Sequence, residues 1–393
     1  MKTSIPDLHI ADFNYPLPDS RIALFPAQPR DSARLLVYDD GKIVDSYVRD
    51  LNEFVQEGDC WVANNTQVIP ARLWFHTENG ALIQVFLVKS ISEDWSLWEA
   101  LVGNRKRFKP EARLRQTSQS GDWIEVVWQN REANRVELRT NLPSVPEALE
   151  VFGKVPLPPY IQREVSVSDT SDYQTLFAKH KGAVAAPTAS LHFTPELRSK
   201  LLNGGMSELE LTLHVGAGTF KPVSAERISD HEMHSERFVI STDLINGLLK
   251  RGRGVIALGT TSLRVLESLY YLALRLKLDP DSSCLVASDD PYKEWELEWS
   301  MREALEFLAH ECEKRGGVLQ GETQIFIVPG FRFRIADRLL TNFHQPKSTL
   351  LVLISAFIGR SWQDVYAHAI SQDYRFLSYG DASLLIAEKK IKW

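Results

Sequence analysis

The sequence is poor in cysteine and lacks both paired and metal-binding cysteine spacings. Its three cysteines, Cys60, Cys284 and Cys312, stand far apart in a chain of 393 residues. Disulfide scaffolds and zinc ribbons depend on closely spaced cysteines, so both classes of protein are disfavoured. We therefore expect a reduced, cytoplasmic protein.

Long apolar runs are also missing, and so is an excess of positive charge. No stretch reaches the roughly 20 apolar residues of a membrane helix, and MKTSIPDLHIADF lacks the layout of a signal peptide, so we expect no membrane partner. The formal net charge is −6, so binding to RNA would need a local basic patch. NRKRFK (104–109) is the first candidate, and KHK (179–181) and RGR (251–253) are weaker ones. Solvated loop charges are the alternative for all three.

Several common catalytic signatures are absent. The sequence has no P-loop, no G-x-G-x-x-G and no G-x-S-x-G. In HEMHSE (231–236) the histidines are three positions apart, whereas the zinc-protease pattern H-E-x-x-H sets them four apart on one helical face. We expect no metal, and a metal site built from His214, His231 and His234 is the less favoured alternative.

Strand-like segments dominate the first 150 residues. RLLVYDDGKIVDSYV, from Arg34, predicts a β-hairpin with Asp-Asp-Gly in its turn. From Cys60 to about Thr140, short β-rich runs alternate with turn residues, and no helical pattern interrupts them. This texture predicts a small antiparallel barrel or sandwich.

Beyond about residue 157, strands alternate with helices. TPELRSKLLNGG predicts a short helix capped by Thr194, and ELELTLHV alternates like a strand. GVIALGTTSLRVLES and DRLLTNFHQPKSTLLVLISAF each predict a strand, a polar turn and a helix, and TQIFIVPG predicts one more strand. Such alternation favours a largely parallel α/β sheet, in which ligands bind beyond the carboxyl ends of the strands.

Residues 278–321 stand apart as a predicted helical arm within the main domain. An acidic, turn-rich stretch precedes a helix that begins with a Ser300–Glu303 capping box and ends at Gly316-Gly317. Its apolar face predicts packing against other helices.

Three polar stretches lie next to predicted strands. TNFHQPKST leads into an apolar helix, and it offers either an ordinary cap at Ser348 or Thr349 or a ligand-facing helix start. GAVAAPTASLHFT combines small residues with two hydroxyls and His192, and a tightly packed turn is the alternative to a site. VGAGTF has two glycines that could let the backbone approach a ligand.

Taken together, these segments resemble one family, the S-adenosylmethionine:tRNA ribosyltransferase-isomerases of queuosine biosynthesis. The matching stretches occur in the expected order through nearly the whole chain, and the set is specific although each piece alone is not. They are RDSARLLVYD, NNTQVIPARL, LPPYI, YQTLFAKHKGAVAAPTASLHFT, TLHVGAGTFKPV, HEMHSE, IALGTTSLRVLES, TQIFIVPGF, TNFHQPKSTLLVLISAF and YRFLSYGDASLLI.

The resemblance implies a mixed α/β main domain, residues 1–60 and 150–393, with an antiparallel β-barrel inserted at 61–149. It also implies that S-adenosylmethionine is the ribosyl donor, as a substrate, and that no metal takes part. The implied acceptor is 7-aminomethyl-7-deazaguanine at the wobble position of a tRNA anticodon. Adenine and methionine would leave, and epoxyqueuosine would form in the tRNA. We expect a monomer.

This chemistry needs a base that takes a proton from the 5′ carbon beside the sulfonium and an acid that assists adenine departure. The candidates for these roles, left unassigned, are His192, His214, His231, His234 and Glu236. The candidates for holding the donor or the RNA are Thr188, Ser190, Thr260, Thr261, Arg264, Asn342, His344, Lys347, Ser348 and Thr349. Tyr379 and Asp381 are a further candidate pair beside the pocket.

The chain departs from the family pattern at four side chains and in the longer arm. Gln67 and Gln84 stand where a basic and an acidic residue are usual, and they would form an amide pair if they faced each other. Ser190 stands where glycine is usual, and Ser383 where methionine is common. Two other functions therefore stay open: a paralogue with a different acceptor, for which Ser190 is the residue to test, and a non-catalytic RNA-binding protein.

Overall fold

The strands form one large sheet, one six-stranded sheet and one small sheet in a computed structural model that describes residues 5–216 and 225–387. In chain order the strands are β1 (Arg34–Asp39), β2 (Lys42–Tyr47), β3 (Cys60–Asn64), β4 (Thr66–Val68), β5 (Arg72–His76), β6 (Leu82–Ser90), β7 (Leu97–Val102), β8 (Arg113–Thr117), β9 (Trp123–Asn130), β10 (Arg135–Thr140), β11 (His180–Ala183), β12 (Ser207–Leu213), β13 (Glu236–Ser241), β14 (Val255–Leu258), β15 (Leu285–Val286), β16 (Val318–Thr323), β17 (Arg338–Asn342) and β18 (Ala382–Ile386).

The ten-stranded sheet has the order β15-β16-β13-β12-β3-β14-β17-β18-β1-β2. Its centre, β12-β3-β14-β17, is parallel. The β1–β2 hairpin and the strands β13 and β18 add antiparallel pairs toward the flanks, so only five of the nine neighbouring pairs are parallel. The α/β prediction is confirmed, but the sheet is mixed where a largely parallel one was expected.

The six-stranded sheet is antiparallel, with the order β5-β6-β7-β10-β9-β8. Buried and more exposed residues alternate along β5 and β6, as expected for strands with one face on a core. The hydrogen-bonded pairs among the described residues do not join β5 to β8. The antiparallel sheet is therefore established, and closure into a barrel stays a prediction.

The strands of the six-stranded sheet begin at Arg72 and end at Thr140. β3, at residues 60–64, lies at the centre of the large sheet between β12 and β14. β4, the next strand, pairs with β11. The domain boundaries at 61 and 149 stay a prediction.

Eight α-helices accompany these sheets within the described residues, and none of them is long and apolar enough to cross a membrane. They are α1 (Val145–Phe152), α2 (Asp169–Asp172), α3 (Pro195–Asn203), α4 (Thr242–Lys250), α5 (Gly259–Leu278), α6 (Met301–Lys314), α7 (Thr349–Ile358) and α8 (Trp362–Ser371). The predicted Thr194 cap of α3 and the capping box that opens α6 are both present.

One predicted strand does not form. Residues 324–330, most of TQIFIVPG, are buried in part but have no strand pairing. Some of their backbone groups bond to a side chain instead: the Tyr292 hydroxyl donates to the Phe326 carbonyl at 2.8 Å and accepts from the Val328 amide at 3.1 Å. The backbone of this apolar run is thus hydrogen-bonded outside a β-sheet. Hydrophobic periodicity alone cannot predict such contacts.

Helix α5 is fixed to the start of β17 by a buried carboxylate. Glu267 has no exposed surface, and its two oxygens accept hydrogen bonds from the backbone amides of residues 334–336 at 2.8–3.0 Å. The Arg334 guanidinium lies 3.7 Å from the centre of the Tyr270 ring on the same helix. These contacts hold α5 against the strand that leads into TNFHQPKST.

Candidate functional site

The parallel centre of the large sheet assembles the site. Because β12, β3, β14 and β17 run the same way, their carboxyl ends share one edge. β13 is antiparallel to β12, and β18 is antiparallel to β17, so each of them begins at that same edge. Segments from far apart in the chain therefore meet where open α/β sheets bind ligands.

Two cavities open at this edge. The larger cavity, of about 700 Å³, includes the following residues in its lining: Tyr160, Ala185, Thr188, Val215, Gly259, Thr260, Thr261, Asn342, His344, Ser348, Leu350 and Ser378. The smaller cavity, of about 330 Å³, is lined by Met233, His234, Arg264, Ile325, Phe326, Ile327, Thr349, Leu350 and Leu353. Leu350 lines both, so the cavities are neighbours.

His192 lies buried beneath the larger cavity and is held by an amide. The Thr188 hydroxyl donates to Oδ1 of Asn342 at 2.9 Å, which leaves the Asn342 Nδ2 group to donate to Nε2 of His192 at 3.2 Å. Burial lowers the pKa of His192 to about 4, with the Arg375 charge acting in the same direction. His192 is therefore neutral near pH 7, and its Nε2 is occupied by the amide.

His214 follows β12 at the same sheet edge, next to Val215 of the larger cavity. Its Nδ1 lies 2.9 Å from the Thr66 hydroxyl, and burial lowers its pKa to about 4. A Cβ at Gly182 would come within 2.8 Å of the His214 ring, and Gly182 has a φ of +150°. Glycine is thus required there for the ring to pack against the β11 backbone.

The HEMHSE segment forms a charged cluster beside the smaller cavity. Glu236 is buried and pairs with the Nη1 group of Arg264, and its Oε1 lies 3.5 Å from Nε2 of His234. Burial opposes ionisation of Glu236, but Arg264 and His234 prevail, so its pKa lies below the ordinary value. The ring of His231 lies 5.9 Å from that of Phe326, and burial lowers the His231 pKa.

The two helix starts at the cavities differ in their caps. α7 has Ser348 as its N-cap, whose hydroxyl accepts from the Leu351 amide at 3.2 Å. α5 begins at Gly259 with no side-chain cap, and the predicted polar turn is its first turn. Gly259, Thr260 and Thr261 line the larger cavity, so this helix presents uncapped amides and a positive dipole end there. The TNFHQPKST segment before α7 combines both predicted features, because Ser348 caps the helix and also lines the larger cavity.

Several predicted site residues have other contacts. Tyr379 donates to Asp169 at 3.2 Å, and Asp381 accepts from the Arg34 and Arg375 amides at 3.1 and 2.8 Å. Neither lines either of the two cavities.

Three further candidates differ in how they meet the cavities. Lys347 is exposed, and its amide donates to the Phe13 carbonyl. Ser190 is buried outside both linings, and its hydroxyl has no partner among the described residues. His344 lines the larger cavity, its Nε2 lies 3.0 Å from the Thr341 hydroxyl, and burial lowers its pKa to about 3.

Sequence reasoning missed a second pair of hydroxyls at the larger cavity. The Tyr160 and Ser378 hydroxyls lie 2.6 Å apart, and burial raises the pKa of Tyr160 to about 12. Both residues stand in stretches that carried the family resemblance, LPPYI and YRFLSYGDASLLI. In the second stretch the sequence predicted Tyr379 and Asp381 as site residues instead. Gln67 and Gln84 do not form a pair: they lie in strands of different sheets, β4 and β6.

Residues 217–224, which include most of VGAGTF, lie outside the described residues. Within 5–216 and 225–387, no group of three His, Cys, Asp or Glu side chains is placed to hold a metal ion. His214, His231 and His234 are accordingly not gathered into one such group.

The fold and the cavities are those of an α/β enzyme with its site at the carboxyl edge of the sheet. A family model described as "Queuosine biosynthesis protein" matches residues 10–385. An S-adenosylmethionine:tRNA ribosyltransferase-isomerase of Sphingopyxis alaskensis is 43% identical over 389 residues, covering 96% of this chain and 97% of that protein. The same-named protein of Methylocella silvestris is 41% identical, with 96% and 98% covered. The chain therefore belongs to the queuosine biosynthesis protein family, as the resemblance predicted.

A solved structure is also similar to this chain. It is the crystal structure of an S-adenosylmethionine tRNA ribosyltransferase from Thermotoga maritima, which is 26% identical. The match covers 95% of this chain and 100% of that one, with a TM-score of 0.48.

The buried histidines predict a loss of stability in mild acid. The His192 pKa is about 4 in the folded protein, and its reference value, taken for the unfolded chain, is 6.5. Between these two pH values the unfolded chain binds one more proton than the folded protein, so the free energy of unfolding decreases as the pH falls. We expect His192→Gln to reduce the loss in unfolding free energy between about pH 7.5 and about pH 5 by about 2 kcal/mol. Thermal melting at both pH values measures this. His76→Gln, at an exposed histidine, is the control, and equal pH sensitivity of His192→Gln and wild type would contradict the prediction.

Proposed function

We propose that the chain transfers and isomerises the ribosyl group of S-adenosylmethionine onto tRNA. The acceptor is 7-aminomethyl-7-deazaguanine at the wobble position, the products are epoxyqueuosine, adenine and methionine, and the protein acts in the cytoplasm as a monomer. The observation that carries the proposal is a charged, histidine-containing cluster beside paired cavities at the sheet edge. Relatives with this enzyme name match 96% of the chain, which supports the same assignment.

His234 is the candidate best placed to move a proton. It lines the smaller cavity and is about one-third exposed, and its Nε2 lies 3.5 Å from Oε1 of Glu236. A proton taken from the 5′ carbon beside the sulfonium would give a cationic imidazole, which the Glu236 carboxylate would stabilise. His192 is less suited to this role because its Nε2 already accepts from Asn342. We assign His192 the task of orienting Asn342 and Thr188 toward the larger cavity.

Several groups near the larger cavity are candidates for the acid that assists adenine departure. His214 and His344 are both partly buried and have lowered pKa values, so both are neutral near pH 7, and a neutral imidazole is a weak acid. The neutral Tyr160–Ser378 hydroxyl pair lies in the larger cavity and adds a donor. The uncapped amides of α5 would suit an anionic or carbonyl oxygen of either substrate.

Product analysis tests the function directly. Incubated with S-adenosylmethionine and tRNA bearing 7-aminomethyl-7-deazaguanine, the protein should release adenine and methionine and leave epoxyqueuosine in the digested tRNA, as seen by mass spectrometry. Modification of a different base or nucleoside would favour the paralogue with another acceptor. Binding of tRNA without any release of adenine would contradict an enzymatic function altogether.

Removing the proposed base should slow turnover without weakening tRNA binding. We expect His234→Ala to reduce kcat by about 10²- to 10⁴-fold, the usual contribution of general acid–base catalysis. His310→Ala is the matched control, since His310 is exposed on α6 and outside both cavities. The rate of adenine release and the tRNA affinity are both measured. Full activity of His234→Ala would show that another group takes the proton.

The RNA partner needs a surface with unneutralised positive charge. Lys106, Arg107 and Lys109 are exposed in the connection between β7 and β8, and none forms an ion pair among the described residues. By contrast, Lys179 pairs with Glu210 and Lys181 with Glu150, both at 2.6 Å. The 104–109 segment is therefore the better of these two basic stretches for tRNA phosphates.

Neutralising the 104–109 segment should weaken tRNA binding in a salt-dependent way. We expect the triple change Lys106→Ala, Arg107→Ala, Lys109→Ala to reduce the slope of log K against log salt by about 2 to 3, because each phosphate contact contributes about 0.7–0.9. Filter binding at several salt concentrations measures the slope. Lys179→Ala with Lys181→Ala is the control. A triple variant that leaves the slope of wild type unchanged would place the RNA elsewhere.

A further inference from the structure

Arg264 lines the smaller cavity, and part of its guanidinium group is unpaired. Its Nη1 pairs with Glu236, but its Nε and Nη2 are buried and have no hydrogen-bond partner among the described residues. The side chain is only 7% exposed. Leaving guanidinium N–H groups buried and unpaired is costly, so a ligand that satisfies both gains strongly. Nε and Nη2 form the edge that binds a carboxylate through two parallel hydrogen bonds.

Apart from His234 and Thr349, the rest of the lining of the smaller cavity is apolar, and Glu236 pairs with Arg264. Met233, Ile325, Phe326, Leu350 and Leu353 provide a surface for an aliphatic or thioether chain. Glu236 balances Arg264, so the cluster is neutral overall while His234 is uncharged. A phosphate dianion would leave an excess of buried negative charge beside Glu236, whereas a zwitterion would not. The chemistry therefore fits an α-amino acid with an apolar side chain.

The position of the cavity indicates which amino acid this is. Thr260 and Thr261 line the larger cavity, and Arg264, one turn further along α5, lines the smaller one. Leu350 borders both. A ligand with a nucleoside in the larger cavity could extend its other end past Leu350 to Arg264.

We propose that the smaller cavity binds the methionine end of S-adenosylmethionine, with the Nε–Nη2 edge of Arg264 on its α-carboxylate. This inference rests on the proposed function for the identity of the donor. The sulfonium then lies between the cavities, and the 5′ carbon that loses its proton lies on the side of His234. Arg264 is a binding residue in this account, and Glu236 both holds its guanidinium and faces the positive end of the zwitterion.

Donor analogues test this subsite without tRNA. Titration calorimetry compares S-adenosylmethionine with decarboxylated S-adenosylmethionine, which lacks only the α-carboxylate. Wild type should prefer the intact donor by about 10- to 100-fold, the range for hydrogen bonds to a charged group. Arg264→Gln should bind the intact donor about 10- to 100-fold more weakly and lose that preference. Its affinity for the decarboxylated donor should change little.

Two further variants keep the test decisive if Arg264→Gln folds poorly beside the buried Glu236. Arg264→Lys keeps the charge but removes the two-pronged edge, so it should lose most of the preference while melting near wild type. Arg275→Lys, on the same helix, alters a bidentate pair with buried Asp290 remote from both cavity linings, and it should leave the preference intact.

The outcomes separate the subsite from the reaction. If wild type makes epoxyqueuosine but Arg264→Lys and Arg264→Gln keep the full preference for the intact donor, the subsite is wrong and the function stands. If the preference depends on Arg264 but no epoxyqueuosine forms, the subsite stands and the function fails. A wild type that binds both donors equally overturns the subsite, and one that binds neither overturns both.

Discussion

The parallel alignment of β12, β3, β14 and β17 is the constraint on which the site depends. It brings the ends of four strands, separated by up to nearly 280 residues of sequence, to one edge of the sheet. The residues after β14 and β17 then enter α5 and α7, whose first turns form the walls of the cavities. Elements on the flanks can vary in direction without disturbing this edge, and several of them are antiparallel.

The edge is also where the fold leaves polar groups incompletely satisfied. The hydroxyls of Ser190, Thr261 and Ser262 and two nitrogens of Arg264 are buried without partners among the described residues. Elsewhere the buried Glu267 is fully engaged by the three amides that it accepts from, while the Nε groups of Arg72, Arg105 and Arg131 are also buried without partners among the described residues. Unpaired buried groups reduce stability, so a ligand that pairs with those beside the cavities would gain free energy from doing so.

Local chemistry made much of this fold predictable. The Asp-Asp-Gly hairpin, the Thr194 and Ser300 caps and the strand–turn–helix units all follow from residues within a few positions of each other. The predicted strand over TQIFIVPG failed because the hydroxyl that holds it belongs to Tyr292, more than 30 residues earlier. A pattern of neighbouring residues cannot predict a hydrogen bond to a side chain so far away in the sequence.

The same distinction separates the site residues. The composition of HEMHSE and SLHFT marked His234, Glu236 and His192 as candidates, but their roles depend on distant partners. Glu236 meets Arg264 from another element, and His192 meets Asn342 across 150 positions of sequence. Tyr379 and Asp381 stood in an equally suggestive stretch, yet their partners are structural. Residue type thus marks candidates for the site, whereas the part that each candidate would play depends on contacts that residue type does not predict.

A crystal structure of the complex with S-adenosylmethionine would test the central claim most directly. We predict that the adenosine lies in the larger cavity against the first turn of α5. The methionine should pass Leu350, with its carboxylate within hydrogen-bonding distance of Nε and Nη2 of Arg264 and the 5′ carbon facing His234. A donor bound with its methionine outside the smaller cavity, or away from this sheet edge altogether, would contradict the account.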